Sequence, residues 1–232
     1  EYSHITTTSF YGSHIINGAG GGGMIMVHDQ RLAERLVVLR GWGRRSSLYG
    51  ENASSELLEN RFNVTLDGIE YDNKFIFSEI GYNMLPLELQ AAFALVQLER
   101  LPEFAKARKQ NYAELLEFFK RYERYFILPK QTEDSETNWL AFPIIIKDDA
   151  PFGRKEFATF LESRDIQTRP IFTGNVLKQP AFKNIEHRLA AAGYPGTDQV
   201  MRGGMVFACH QGLTEDQRSY VRQAINDFIA SH

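Results

Sequence analysis

A histidine followed closely by a run of glycines is the feature of this sequence best suited to chemistry. Ser9-Phe10-Tyr11-Gly12-Ser13-His14-Ile15 leads into Gly18-Ala19-Gly20-Gly21-Gly22-Gly23, so an imidazole lies next to backbone that can approach a ligand closely because it carries almost no side chains. An imidazole ordinarily titrates near ~6.5, which lets it act as a base and then as an acid within one reaction. A histidine alone is more often a surface or structural group; the glycines beside His14 single it out. The run also satisfies G-x-G-x-x-G at Gly18, Gly20 and Gly23, but it leads into the strand-like Met24-Ile25-Met26-Val27. A dinucleotide fingerprint needs a helix there, whose N-terminus would hold the pyrophosphate, so the glycines are read as a tight turn between strands.

The elements that must position these residues follow from pattern. Ile5 to Tyr11 is a β-branched and aromatic strand, and Met24 to Val27 a second. Apolar spacing predicts a helix from Arg31 to Arg40. The polar stretch from Gly43 to Asn73 is expected to be irregular, with room for a helix from Ser54 to Phe62. Leu87, Ala91, Ala94, Leu95, Leu98 and Leu101 share a helical face after Pro86, and Pro102 is expected to kink or divide the helix before it runs on to Tyr122. From Trp139 the pattern alternates: strand Leu140–Ile146, helix Arg154–Ser163, strand Ile166–Phe172, strand Met205–Ala208 and helix Thr214–Ile229. This is a small α/β lobe. The expected division is 1–104 and 105–232, with a connecting helix leading the second part. Because the chain opens at Glu1 and is already in a strand by Ile5, it is expected to begin in mid-fold.

Bulk composition narrows the function. With 232 residues, 43% of them hydrophobic, the chain can bury a core. A net charge of -3 with well-mixed signs excludes a basic surface for nucleic acid or anionic lipid. No apolar run is long enough to span a bilayer. Cys209 is the single cysteine, which excludes an internal disulfide, a CxxC pair and a cysteine-ligated cluster, and points to the reducing cytoplasm. The sequons at Asn52 and Asn63 matter only in a secreted protein.

The segment from Ser9 through the glycine run resembles S-F-x-x-x-K-x-[IL]-x-x-G-x-G-G of the DegT/DnrJ family of sugar aminotransferases, in which the lysine bonds covalently to pyridoxal phosphate. Here His14 occupies that place, and no lysine occurs before Lys74. Gly81-Tyr82-Asn83, Leu89-Gln90-Ala91-Ala92 and Gln97-Leu98 are similar to the family's GYN segment and the helix after it. Phe75-Ile76-Phe77-Ser78, Thr168-Arg169-Pro170-Ile171-Phe172-Thr173-Gly174-Asn175 and Gln179-Pro180 resemble the branch of CDP-4-keto-6-deoxyglucose 3-dehydratases.

This resemblance covers essentially the whole chain and implies the C-terminal portion of an aspartate-aminotransferase-like α/β fold: part of the large cofactor domain, then the small C-terminal domain. It implies pyridoxamine or pyridoxal phosphate as cofactor, a nucleotide-linked 4-keto-6-deoxyhexose as substrate, a place in deoxysugar or lipopolysaccharide synthesis, and a homodimer with shared active sites. By it, His14 is catalytic, Ser9 binds the cofactor phosphate, Asn83 reaches the phosphate of the neighbouring subunit's cofactor, and Arg169 and Asn175 contact substrate. Relatives with an iron–sulfur cluster carry cysteines after W-G-R. This chain reads Trp42-Gly43-Arg44-Arg45-Ser46-Ser47, so no such cluster is expected.

A lysine at position 14 would capture the cofactor and return a proton to the sugar, completing transamination. A histidine can only exchange protons, which fits expulsion of the 3-hydroxyl, hydrolysis to a 3-deoxy-4-keto sugar with loss of ammonia, and renewal of the cofactor's amine by a donor such as glutamate. Two alternatives stay open: an aminotransferase that has lost its lysine, and a homologue that binds cofactor or sugar without turnover. Relatives carry a further N-terminal half that supplies other active-site groups, so the chain by itself is expected to be inactive.

Overall fold

A computed structural model describes residues 3–49 and 61–232. The chain divides into two compact units, Glu1–Glu99 and Arg100–His232, slightly ahead of the expected 104/105 boundary.

In the first unit, β1 (Ile5–Ser9) and β2 (Gly23–Val27) form an antiparallel pair whose register runs from Ile5 opposite Val27 to Ser9 opposite Gly23. The glycine run is therefore a connection between strands. Gly20 and Gly22 take φ of 110° and 105°, values that side-chain-bearing residues avoid. Helix α1 (Gln30–Arg40) begins at Asp29, whose carboxylate accepts from Leu32 N, and ends at Gly41. The stretch expected to be irregular contains a hairpin, β3 (Val64–Leu66) with β4 (Ile69–Tyr71). Its turn is Asp67-Gly68, with φ of 48° and 84°, the left-handed pair that a two-residue hairpin turn requires. The expected helix from Ser54 to Phe62 falls almost wholly outside the described residues.

Helix α2 (Glu88–Glu99) stops at Arg100, and α3 (Leu101–Lys120) starts anew with Pro102 in its first turn, where a missing N–H costs nothing. α2 buries none of its residues although it is apolar on most sides; Leu89 is 82% exposed.

The second unit is built on a four-stranded sheet in the order β5-β6-β8-β7, with every neighbouring pair antiparallel. The strands are β5 (Phe126–Ile127), β6 (Phe142–Ile146), β7 (Arg169–Pro170) and β8 (Gly204–Phe207); the helices after α3 are α4 (Arg154–Glu162), α5 (Pro195–Gly203) and α6 (Glu215–Ala230). β7 is far shorter than the expected Ile166–Phe172. Pro170 lacks a donor, and Phe172 at φ 45° has already left extended geometry. α5 was not legible, being short and bounded by Pro195, Gly196 and Gly203.

Phe119, Phe126, Phe142, Phe157 and Phe228 are fully buried and interlock with Ile144, Leu161, Met205 and Ile225 in one core. The rings meet edge-on or offset, as Phe119 does with Phe126 at 5.3 Å and Phe157 with Phe228 at 4.8 Å. Thr214 and Gln217 form a reciprocal capping box that fixes where α6 begins.

Candidate functional site

Ser9 is the last residue of β1, and its Oγ accepts from Tyr11 N at 3.2 Å, which leaves its O–H free to donate elsewhere. Tyr11 O in turn accepts from His14 N at 2.9 Å, and the Tyr11 ring meets the His14 ring edge-on at 6.2 Å. Ser9 and His14 are thus linked through Tyr11 on the β1–β2 connection. Among the described residues no hydrogen bond engages the imidazole of His14. Two crossing bonds close the connection, Phe10 N to Gly22 O and Gly18 N to Phe10 O, both 2.9 Å. Gly18 is obligatory there, because a Cβ would stand 2.4 Å from Gly21 O.

Asn83 is positioned by the end of α1. That helix leaves its last carbonyls without intrahelical partners, and the 82–84 segment supplies the donors: Tyr82 N to Leu39 O at 2.7 Å and Met84 N to Arg40 O at 2.9 Å. Asn83 itself pairs with Gly41 as an isolated bridge, and its side chain is exposed. A cleft of about 690 Å³ runs between these segments, lined by Thr8, Gly22, Arg40, Met84, Pro86 and Gln90 among others. The structure brings the neighbours of Ser9 and Asn83 to this one cleft; Ser9, His14 and Asn83 are not among its lining residues.

In the second unit, Arg169 pairs with Val206 across the β7–β8 edge. Its Nη1 donates to Thr168 O at 2.7 Å, and Glu162 lies 3.9 Å away, while most of the guanidinium remains exposed. Glu162 is held below the usual carboxylate range by the backbone and hydroxyl donors of Thr168 and by Arg169. Asn175 is buried at 5% exposure, and both ends of its amide are engaged. Nδ2 donates to Asp198 Oδ1 at 2.7 Å, and Oδ1 accepts from Leu177 N at 3.1 Å. Asp198 is held low first by Asn175 and then by Lys178. Asn175 therefore braces the loop between β7 and α5.

Sequence reasoning missed two clusters. Arg108 is buried at 4% exposure and donates to Gln211 Oε1, Trp139 O and Leu140 O at 2.8 to 3.1 Å. One turn on, Asn111 Nδ2 donates to Cys209 O and His210 O. Burial pushes the Cys209 thiol up to about 11, and burial lowers the neighbouring His210. The second cluster is Trp42 with Arg44, whose guanidinium carbon stands 4.5 Å over the indole. Its signal lay in W-G-R-R, read above only for its lack of cysteines.

The elements around Ser9, His14 and Asn83, followed by a small antiparallel α/β unit, define the C-terminal portion of an aspartate-aminotransferase-like fold, the class that carries pyridoxal phosphate. The chain belongs to the DegT/DnrJ/EryC1/StrS aminotransferase family, whose model matches residues 1–226. It is 35% identical over 231 residues to the dTDP-4-dehydro-2,6-dideoxy-D-glucose 3-dehydratase of Saccharopolyspora spinosa, covering 99% of this chain and 49% of that one. It is 32% identical to the lipopolysaccharide biosynthesis protein RfbH of Salmonella typhimurium, covering 98% of this chain and 52% of the relative. The GDP-4-keto-6-deoxy-D-mannose-3-dehydratase of E. coli, solved with bound hydrated PLP, superposes with a TM-score of 0.76 at 28% identity over 96% of this chain and 54% of that one. The chain spans about half the length of the curated relatives it matches. No described helix is long and apolar enough to cross a membrane.

Proposed function

We propose that this chain is the C-terminal half of a pyridoxamine-phosphate-dependent 3-dehydratase acting on a nucleotide-linked 4-keto-6-deoxyhexose, with His14 as its base. The observation that carries this reading is the imidazole on the glycine hairpin, at the place where the family's aminotransferases hold the cofactor through a lysine. The two named relatives that are dehydratases support it.

The residues fit the cofactor's phosphate. Ser9 retains an O–H to donate, Gly20 has open space where a Cβ would stand, and Asn83 presents an exposed amide on backbone locked to α1. When bound, pyridoxamine phosphate supplies the amine that condenses with the 4-ketone and a ring that accepts electrons. Ser9 anchors the phosphate on its own side. Asn83 holds the phosphate of the neighbouring subunit's cofactor, which makes the homodimer part of the site. A ring nitrogen of His14 accepts a proton and then returns it to the oxygen leaving C3. Arg169 offers its exposed guanidinium to substrate, and Asn175 acts on substrate only by bracing the loop that carries it.

Two substitutions test the assignment in the intact protein. His14→Lys supplies an amine on the native hairpin, and pyridoxal phosphate is expected to remain covalently attached after borohydride reduction, which the parent does not show at this position. His14→Asn keeps the phosphate contacts, so cofactor binding is expected to persist while dehydration falls by about 10²- to 10⁴-fold, the usual contribution of a general base. Dehydration by His14→Asn at the parent's rate removes His14 from the mechanism.

A further inference from the structure

We propose that Phe172 is a substrate-stacking residue and that Asp198 is the positioning residue that presents it. The ligand chemistry is the flat or apolar face of a nucleotide-linked sugar, offered either by its base or by its deoxyhexose. Three observations carry this.

First, the backbone at Phe172 is left-handed, with φ 45°, which a bulky side chain adopts only where its surroundings impose it. Among the described residues two other aromatic side chains share that geometry, Trp42 and Trp139. Each is covered by the protein itself: the Arg44 guanidinium stands 4.5 Å over the indole of Trp42, and Tyr112 stacks on Trp139 at 4.0 Å. The ring of Phe172 has no such neighbour among the described residues and is 85% exposed. An aromatic ring held bare on unfavourable backbone suits the face of a ligand.

Second, the turn is fixed from behind. Gly174, at φ 63°, lies so close to α5 that a Cβ there would stand 2.7 Å from Met201 Cβ. Asn175, the buried residue next to it, donates to Asp198 Oδ1 at 2.7 Å, and Lys178 Nζ reaches the same oxygen at 2.8 Å. Gln179 Nε2 closes the loop on Thr173 O at 3.0 Å. Asp198 itself lies in the first turn of α5, where the helix N-terminus favours a carboxylate. Two loop residues thus meet one carboxylate on a packed helix, and that carboxylate sets where the turn stands.

Third, the turn follows directly on β7, whose Arg169 leaves most of its guanidinium exposed. An aromatic face and a planar cation three residues apart suit a ligand that has both an apolar face and oxygen acceptors, as a nucleotide-linked sugar does.

Naming a nucleotide-linked sugar rests on the function proposed above; a ligand contact made by Phe172 does not. The intact protein, Phe172→Ala, Asp198→Ala and the double variant are titrated calorimetrically with dTDP, dTDP-glucose, GDP, GDP-mannose and pyridoxamine phosphate. Phe172→Ala is expected to weaken the nucleotide ligands by about 10- to 100-fold, as for loss of one buried aromatic side chain, and to leave pyridoxamine phosphate within about twofold. An equal loss for dTDP and dTDP-glucose assigns the ring to the base; a loss confined to the sugar-linked ligands assigns it to the hexose. Asp198→Ala is expected to weaken the same ligands by about 3- to 10-fold. In the Phe172→Ala background it is expected to add less than about twofold, because its effect passes through the ring, whereas a merely structural role would add in full. Asp198→Asn keeps an acceptor for Asn175 without the charge that faces Lys178, and is expected to lie between the parent and Asp198→Ala. It also carries the test where Asp198→Ala does not fold.

Nucleotide affinities of Phe172→Ala that match the parent overturn the proposal, and so does an Asp198→Ala loss that persists in full beside Phe172→Ala. Because the titration needs no turnover, a protein that binds nucleotide-linked sugar through Phe172 yet forms no 3-deoxy sugar would refute the dehydratase reading and leave this contact standing.

Discussion

Side chains whose meaning lies in local order were the legible ones. His14 and Ser9 belong to one continuous segment, so their types and spacing could be read directly. Asn175 sat in an equally suggestive segment, but its amide is consumed by Asp198 and Leu177 N, and nothing in the linear order announces a partner 23 residues away. Cys209 shows what burial does to a single group. Its thiol is raised to about 11, above the ~8.5 of a free cysteine. A group raised on folding contributes stability that is complete below its unfolded value and is lost as pH climbs through its folded value. The melting temperature of the parent is therefore expected to fall more steeply between about pH 9 and 11 than that of Cys209→Ala, which has no thiol to ionise. Scanning calorimetry of the two across that range decides it; parallel slopes would show that the thiol is not held in its neutral form.

Elements were legible where periodicity or a turn dipeptide marked them. The helix from Arg31 to Arg40, the split near Pro102 and the last helix follow their apolar spacing, and Met24 to Val27 its β-branched run. The β3–β4 hairpin was overlooked although Asp67-Gly68 flanked by apolar residues is a strong turn signal; a long polar stretch masked it. The β7 edge failed the other way, because a strand-like composition could not overcome Pro170 and the left-handed Phe172. What ties these elements together in the second unit is the Arg108–Asn111 pair on α3, which binds the 139–140 and 209–211 segments by their carbonyls. Tyr112 stacks on Trp139 at 4.0 Å directly beside it. Replacing Arg108 by Leu fills similar space but leaves buried carbonyls without donors, at a cost of about 2–4 kcal/mol. Urea unfolding of the Arg108→Leu variant is expected to show a lower midpoint at an unchanged slope. An unaltered midpoint would mean that water or neighbouring donors replace the guanidinium.

At the scale of the molecule the two units differ in what holds them. Among the described residues Val38 is the one buried apolar side chain of the first unit, while Ile80, Leu89 and Leu95 stand 97%, 82% and 62% exposed. A helix as apolar as α2 belongs in an interior, and a two-stranded sheet has little stability of its own. The second unit has a closed aromatic core. Residues 100–232 expressed alone are therefore expected to melt cooperatively, and residues 1–99 alone to show no cooperative transition by circular dichroism; the reverse outcome would misplace the source of stability. This asymmetry accords with a chain that spans about half of its relatives. The central claim concerns the chemistry that such a shared fold performs with histidine at position 14. It is tested most directly by incubating the intact protein with pyridoxamine phosphate, glutamate and a nucleotide-linked 4-keto-6-deoxyhexose, and identifying the sugar by mass spectrometry and NMR. The expected product is a 3-deoxy-4-keto sugar, dependent on His14; a 4-amino sugar retaining its 3-hydroxyl would contradict the account.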